Sequence, residues 1–192
     1  MKVIIIDIGL YDLEKLKAIC KTSNVDVIIS KAESMICGAD KIIFPVSGDP
    51  ATAVRKLQLT NLSNLIKIIK KPFLGINVGM QLLCSEIKGK NLNGMGIIDV
   101  SSECIDSPRY DISLSINSSI EDPLFKNLVG VNVFVGDASF RITKNNYTIA
   151  YTENNGGISA ALRRDNFWGV MFKPELSGEA GEELLHNFIR FC

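Results

Sequence analysis

The sequence has little histidine and no excess of either charge. A single histidine, His186, stands among 192 residues, and 21 lysines and arginines balance 21 aspartates and glutamates. A chain without net charge has no overall field with which to attract nucleic acid or an anionic membrane surface. Neither a nucleic-acid partner nor a membrane partner is therefore expected.

The cysteines lack the spacing of a metal site or of a disulfide framework. They are odd in number and scattered along the chain, at Cys20, Cys37, Cys84, Cys104 and Cys192. We expect reduced thiols, several of them packed in the core, with no metal site and no cofactor. The apolar stretch within residues 1–7 is too short for a signal peptide or a membrane span, which favours a cytoplasmic protein.

The first half of the sequence alternates strand and helix patterns. Strand patterns rich in apolar residues occupy residues 3–6, 25–29, 42–44 and 73–76. Runs of this kind, separated by helices, predict an α/β fold with a doubly wound, mostly parallel, flavodoxin-like sheet. Ligands on such sheets bind beyond the carboxyl ends of the strands, which directs attention to the residues that follow each run: 7–11, 46–50 and 77–79.

The second half has a different pattern. From about residue 96 to residue 170 it is rich in short strands and turns, and residues 154–157 are the plainest turn. A helical period follows over residues 178–191. We therefore expect an antiparallel β extension of one domain that spans residues 1–192.

Residues 72–83 read as a strand, a sharp turn and a helix. Gly75 and Gly79 stand two residues before and two residues after Asn77, which is the spacing of a nucleophile elbow. In an elbow the central side chain projects into the site, and the next backbone N–H, here that of Val78, can help to bind an oxyanion. Asn77 is not a useful nucleophile, but asparagine tolerates unusual backbone angles. The spacing alone is equally compatible with an ordinary tight turn.

Residues 75–83, together with residues 1–9 and 172–181, resemble class I glutamine amidotransferases. Within that family the resemblance is to the glutaminase subunit of imidazole glycerol phosphate synthase, from histidine biosynthesis, and it covers essentially the whole chain. In the family a cysteine stands at the position of Asn77, a histidine at that of Lys173 and a glutamate at that of Glu175. The resemblance implies that the cysteine attacks the amide of glutamine and that ammonia passes to a cyclase with a (β/α)8-barrel.

The triad positions of this sequence predict a chain that lacks glutaminase activity. Only Glu175, which orients the histidine in the family, is retained. A thiolate with a neighbouring imidazole is what the reaction requires, and His186 lies in the terminal helical pattern instead. Lys173 stays cationic at neutral pH because the usual pKa of lysine is ~10.4, and we expect it to form a structural ion pair with Glu175.

The loop that binds the oxyanion in the family is also altered. Its usual Pro-Gly-Val-Gly reads here as Pro45 followed by Val46, Ser47 and Gly48. Val46 lacks the conformational freedom of glycine, so an oxyanion-stabilising peptide flip is not expected.

The residues that hold glutamine in the family are only partly retained. Gln81 is kept, whereas the His-Ser-Tyr segment of the family appears here as Gly136-Asp137-Ala138-Ser139-Phe140. The Pro-x-Met-Gly-Trp-Asn segment is not recognisable near residues 107–110. The candidate substrate-binding residues are therefore Gln81, Asp137 and Ala138.

Three functions are compatible with this pattern. The first is a non-hydrolysing homologue that docks on, or regulates, a cyclase-like synthase; the block at residues 177–179 faces the partner in the family, although Ser177 can equally cap the last helix. The second is new chemistry in the old pocket, for example by a Ser47–Lys173 pair with Asp49 nearby. The third is an amidotransferase-type subunit for cell-surface sugar modification.

Overall fold

The computed structural model of the chain describes residues 1–21, 24–118, 122–128, 130–152 and 157–192, without the side chains of residues 107–118, 130, 131 and 138. Five parallel strands form one half of a mixed sheet, in the order β2-β1-β3-β4-β11. They are β1 (Lys2–Ile5), β2 (Asp26–Ile29), β3 (Lys41–Val46), β4 (Phe73–Asn77) and β11 (Phe167–Val170). The predicted α/β fold is confirmed.

The helices follow these strands along the chain. They are α1 (Glu14–Cys20), α2 (Glu33–Cys37), α3 (Pro50–Leu59), α4 (Leu62–Ile68), α5 (Val78–Leu83) and α6 (Gly178–Phe191). Apolar residues recur at helical spacing over residues 51–70. This pattern is interrupted at Asn61, whose φ of 55° cannot continue a right-handed helix. Apolar residues at helical spacing extend through Cys84, but helix α5 ends one residue earlier, because Cys84 already starts the next strand.

Strand β3 continues through Pro45, although the sequence predicts that it ends there. Ile42 N donates to Pro72 O on the β4 side, so by alternation the nitrogen of Pro45 faces the β1 side. On that side the register with β1 ends at Ile43. The missing N–H of the proline therefore costs no ladder hydrogen bond.

The other half of the sheet is the predicted extension. It contains β5 (Cys84–Lys88), β6 (Leu92–Asn93), β7 (Ile98–Ser118), β8 (Gly130–Arg141), β9 (Thr148–Thr152) and β10 (Ile158–Arg164). Most of its pairings are antiparallel, and β5 with β7 is the parallel one among the described residues. The turn predicted over residues 154–157 falls largely outside the described residues.

Helix α6 packs against the parallel half and closes the core. Leu184, Leu185 and Phe188 are buried on its inner face. The ammonium of Lys41 donates to the carbonyl oxygen of Phe188 at 3.0 Å and so satisfies a terminal carbonyl of this helix. No helix in the described ranges combines the length and the apolar character needed to cross a membrane.

Candidate functional site at the carboxyl edge of the sheet

The turn between β4 and α5 has the backbone conformation of an elbow. Asn77 is the last residue of β4, is fully buried, and has φ 56° and ψ −118°. A non-glycine residue in this region is strained, so the surrounding structure must hold it there. The Nδ2 of Asn77 donates to the carbonyl oxygen of Met171 at 3.0 Å, whereas its Oδ1 is buried without a hydrogen-bond partner among the described residues.

The two flanking glycines are required by the close approach of the main chain. A Cβ atom on Gly75 would lie 2.8 Å from the carbonyl oxygen of Gly79. A Cβ atom on Gly79 would overlap the carbonyl oxygen of Phe44 in the neighbouring strand β3. The G-x-x-x-G spacing is therefore explained by the lack of space for a side chain at either glycine. This close packing of the main chain fixes where the Asn77 side chain and the N–H of Val78 lie.

Lys173 forms its ion pair with Asp137. Its Nζ lies 3.3 Å from Asp137 Oδ1, and the two side chains are 15% and 3% exposed. The expected pair between Lys173 and Glu175 is therefore wrong. The reason is the path of β8: Val135 O accepts from Lys173 N at 2.7 Å, and this pairing carries Asp137 alongside the lysine.

Glu175 lies in a short 3₁₀ helix, Pro174–Leu176, and is only 4% exposed. Its Oε1 accepts a hydrogen bond from the hydroxyl of Tyr11 at 2.6 Å, and its Oε2 is buried with no hydrogen-bond partner among the described residues. Burial raises the pKa of the Glu175 carboxyl, against the lowering effect of the Tyr11 hydrogen bond and of the charges of Lys173 and Lys15. The position of the Glu175 carboxyl is thus fixed by its hydrogen bond with the Tyr11 hydroxyl.

The loop after β3 directs its polar groups away from Lys173. The backbone nitrogen and the hydroxyl of Ser47 both donate to the carbonyl oxygen of Leu10, at 3.0 and 2.9 Å. Ser47 and Lys173 line the same cavity of about 250 Å³. Their functional groups nevertheless have separate partners, Leu10 and Asp137, so the geometry gives no support to a Ser47–Lys173 nucleophilic pair.

The remaining residues of this loop have structural contacts. Val46 is buried and pairs with Asn77 in the sheet register. Gly48 has φ 87°, a left-handed conformation suited to glycine. The carboxylate of Asp49 accepts from Thr52 N at 3.1 Å and caps helix α3.

A second cavity, of about 510 Å³, is also lined by residues of this loop. It is lined by Gly48, Asp49, Gln81, Lys90, Cys104, Asp106 and Ser139, with others. Gln81 is 1% exposed, and its Nε2 lies 3.7 Å from the sulfur of Cys104. Asp137 serves Lys173 instead of lining this cavity, and the side chain of Ala138 lies outside the described residues.

Three residues of the site are not predicted by the sequence pattern. Tyr11 falls in the stretch after β1 that the strand pattern indicates, but nothing in the sequence links it to Glu175. Cys104 and Lys90 belong to the β extension, and only the folded register brings them to Gln81 and Asp49.

His186 is placed elsewhere, on α6, with Nε2 3.2 Å from the carbonyl oxygen of Ile19. Ser177 makes no side-chain cap; its hydroxyl donates to Lys173 O at 2.7 Å.

Known proteins that are similar to this chain include glutamine amidotransferases. The family model for glutamine amidotransferase class-I matches residues 8–191. The chain is 32% identical over 200 residues to imidazole glycerol phosphate synthase subunit HisH 1 of Vibrio vulnificus, which covers 98% of this chain and 97% of that protein. It is 29% identical over 194 residues to the HisH subunit of Bacteroides fragilis, with 98% and 99% covered.

A solved structure shows the same fold. A glutamine amidotransferase from Thermotoga maritima matches with a TM-score of 0.72 at 12% identity, and covers 98% of this chain and 96% of that chain. The family resemblance inferred from residues 75–83 is confirmed by the family match over nearly the whole length. This chain belongs to the class I glutamine amidotransferases.

Proposed function

We propose that this chain is a non-hydrolysing glutaminase homologue that serves as the partner or regulator of a cyclase-like synthase with a (β/α)8-barrel, of the imidazole glycerol phosphate synthase type in histidine biosynthesis. The observation that carries the proposal is Asn77 at the strained apex of the elbow. At that point glutaminases of the family have a thiol. An amide nitrogen cannot supply the covalent step, because its lone pair is delocalised into the carbonyl.

The buried thiols of Cys84 and Cys20 do not replace the missing nucleophile. Cys84 lies in the core at the start of β5, and burial raises the pKa of its thiol to about 12. Cys20 is also buried, with its pKa raised to about 12 by burial and by the charge of Glu175. Both thiols stay protonated at neutral pH, whereas the thiolate is the attacking form. Cys104 lines the larger cavity and is therefore the thiol that the experiment must control.

The residue at the histidine position, Lys173, does not supply the general base, and the reason is its ion pair. A proton shuttle has to accept a proton near neutral pH, and an ammonium beside a buried carboxylate is stabilised in its charged form. Lys173 is in this situation because Asp137 lies 3.3 Å away. Glu175, the orienting group of the family, is bonded to Tyr11. Lys173 and Glu175 thus connect segments that are distant in the sequence, Lys173 through Asp137 and Glu175 through Tyr11.

A role on a synthase is supported by the named relatives. The relatives from Vibrio vulnificus and Bacteroides fragilis are subunits of a synthase.

The test is ammonia release from glutamine by the purified chain, alone and with the cyclase encoded in the same genome. We expect no release from the wild type in either case. The matched comparison is Asn77→Cys/Lys173→His, with Tyr11→Phe added to free the Glu175 carboxyl. Release by the wild type at enzyme-like rates contradicts the proposal. Loss of that release in Cys104→Ala would then assign the chemistry to Cys104.

The partner is tested separately, by sedimentation of the wild type mixed with the same cyclase. A complex that increases the ammonia-dependent rate of the cyclase is the expected result. Failure to form any complex contradicts the proposed partner, whatever the outcome of the ammonia assay.

A further inference from the structure

The five cysteines of the chain differ in how readily their thiols can react. Burial raises the pKa of Cys20, Cys84 and Cys192 to about 12, so these thiols hold very little of the reactive thiolate at neutral pH. Cys37 is exposed on α2, whereas Cys104 is half-buried and lines the 510 Å³ cavity. Two thiols therefore remain open to reagents, one on the surface and one in a cavity.

The cavity wall next to Cys104 contains a carboxamide with unused hydrogen-bonding capacity. Gln81 is only 1% exposed and lines the same cavity. Within the part of the chain that the structure describes, its one hydrogen bond runs from Nε2 to the sulfur of Cys104, at 3.7 Å. Sulfur is a weak acceptor, and the Oε1 of Gln81 accepts no hydrogen bond from a described residue. A ligand that donates to Oε1 offsets the cost of burying this oxygen without a donor.

The group of the cavity that selects a ligand is this neutral carboxamide. Lys90 Nζ lies 3.7 Å from Asp49 Oδ1, so these two charges compensate each other. Asp106 is exposed, and water satisfies its carboxylate. The unmet need is therefore for a neutral N–H donor, and an amide also brings a carbonyl that can accept from Nε2. The volume of the cavity lies within the range of about 300–1,000 Å³ that holds small-molecule ligands.

We propose that Cys104 forms a mixed disulfide with a small thiol that carries an amide close to its sulfur, and that Gln81 recognises this amide. The amide has to lie within a few bonds of the sulfur because the side chain of Gln81 contacts Cys104 directly. The modification involves neither glutamine hydrolysis nor the triad positions, so it goes beyond the proposed function and does not depend on it.

The reaction is a thiol–disulfide exchange. The Cys104 thiolate attacks one sulfur of the ligand's disulfide, and the new S–S bond forms as the old one breaks. The other half of the ligand leaves as a thiolate and takes up the proton that Cys104 lost. Cys104 is oxidised, the leaving half is reduced, and the disulfide form of the small thiol is the only co-reactant.

The probes for the test are two neutral disulfides that differ in a single kind of group. One is the disulfide of N-acetylcysteamine, which has an amide N–H near each sulfur, and the other is its ester analogue, in which oxygen replaces each N–H. The full chain is reduced, freed of reductant and mixed with each probe. Mass spectrometry of proteolytic peptides then gives the modification rate of each cysteine. Division by the rate at Cys37 removes the intrinsic reactivity of the probe.

We expect this relative rate at Cys104 to be about tenfold higher with the amide probe than with the ester probe. A tenfold ratio corresponds to about 1.4 kcal/mol, which is the size of one hydrogen bond. Equal relative rates for the two probes, or no modification of Cys104 by either of them, overturn the proposal.

The variant Gln81→Met locates the recognition. Methionine keeps an unbranched side chain and removes both hydrogen-bonding groups, so we expect the preference for the amide probe to disappear. A preference that persists in this variant overturns the proposal. Cys84, buried at the start of β5, monitors folding in the same spectra, because it reacts only if the core opens. If the variant does not fold, the comparison of the two probes on the wild type still decides the proposal.

Discussion

Two neighbouring regions at the carboxyl edge of the sheet are held in place in different ways. The elbow between β4 and α5 is fixed by main-chain contacts, since Cβ atoms on Gly75 and Gly79 would meet backbone carbonyl groups. The segment after β11 is fixed by side-chain contacts, Lys173 with Asp137 and Glu175 with Tyr11. The elbow can therefore keep its shape with asparagine at the apex, whereas the second region depends on the identity of the side chains that pair there.

The largest effect is expected where the main chain leaves no space. Gly79→Ala places a Cβ atom on the carbonyl oxygen of Phe44, at a point where two strands and a helix meet. We expect a loss of about 3 kcal/mol or more in the free energy of unfolding, measured with urea, or no folded protein. The control is Gly96→Ala, which has a cost of positive φ, at 66°, that Gly79→Ala does not have, but has nothing within 4 Å of the added Cβ. It should lose only about 1–2 kcal/mol. Equal losses would mean that contact with Phe44 is not the cause.

A smaller but still large effect is expected from the ion pair of the second region. Lys173→Met leaves Asp137 as a carboxylate that is 3% exposed and has lost its cation. Breaking a buried pair costs about 3–5 kcal/mol, and we expect the lower end because Lys173 is 15% exposed. Adding Asp137→Asn should recover part of the loss, as measured by urea unfolding of the single and double variants. A double variant that is less stable than either single variant would show that the two side chains do not compensate each other.

These two regions also differ in how far the sequence predicts them. Residues 72–83 contain the whole elbow, because its glycines, strand and helix are local. The partner of Lys173 is in β8, more than 35 residues away in the chain. The partner of Glu175 is in the loop after β1, more than 160 residues away. The prediction of a Lys173–Glu175 pair used the nearest opposite charge, and the long-range register of β8 overrode it. Sequence pattern alone contains no information on that register.

The hydrogen bond of Tyr11 to Glu175 is expected to contribute less to the free energy of unfolding than the ion pair of Lys173 with Asp137. Tyr11→Phe removes the donor and leaves both oxygens of a buried carboxyl without one. We expect a loss of about 1–2 kcal/mol at pH 7 in urea unfolding. The matched control is Tyr147→Phe, which removes a hydroxyl from a half-buried tyrosine of the β extension. A loss no greater than that of the control would show that Tyr11 does not stabilise the Glu175 carboxyl.

The smallest effect is expected in the pH dependence of stability. Burial raises the pKa of Glu175 above its ordinary value of 4.5. The native state thus keeps this proton at pH values where the unfolded state has lost it, so the stability contributed by Glu175 is present below pH 4.5 and falls as the pH rises through the raised pKa. Glu175→Gln should remove this fall, and the gap between variant and wild type should widen between pH 4 and pH 8. Because the Tyr11 hydrogen bond lowers the same pKa, Tyr11→Phe should steepen the fall. Parallel stability curves for all three proteins would mean that the Glu175 carboxyl has the same pKa folded and unfolded, and that its contact with Tyr11 is not electrostatically significant.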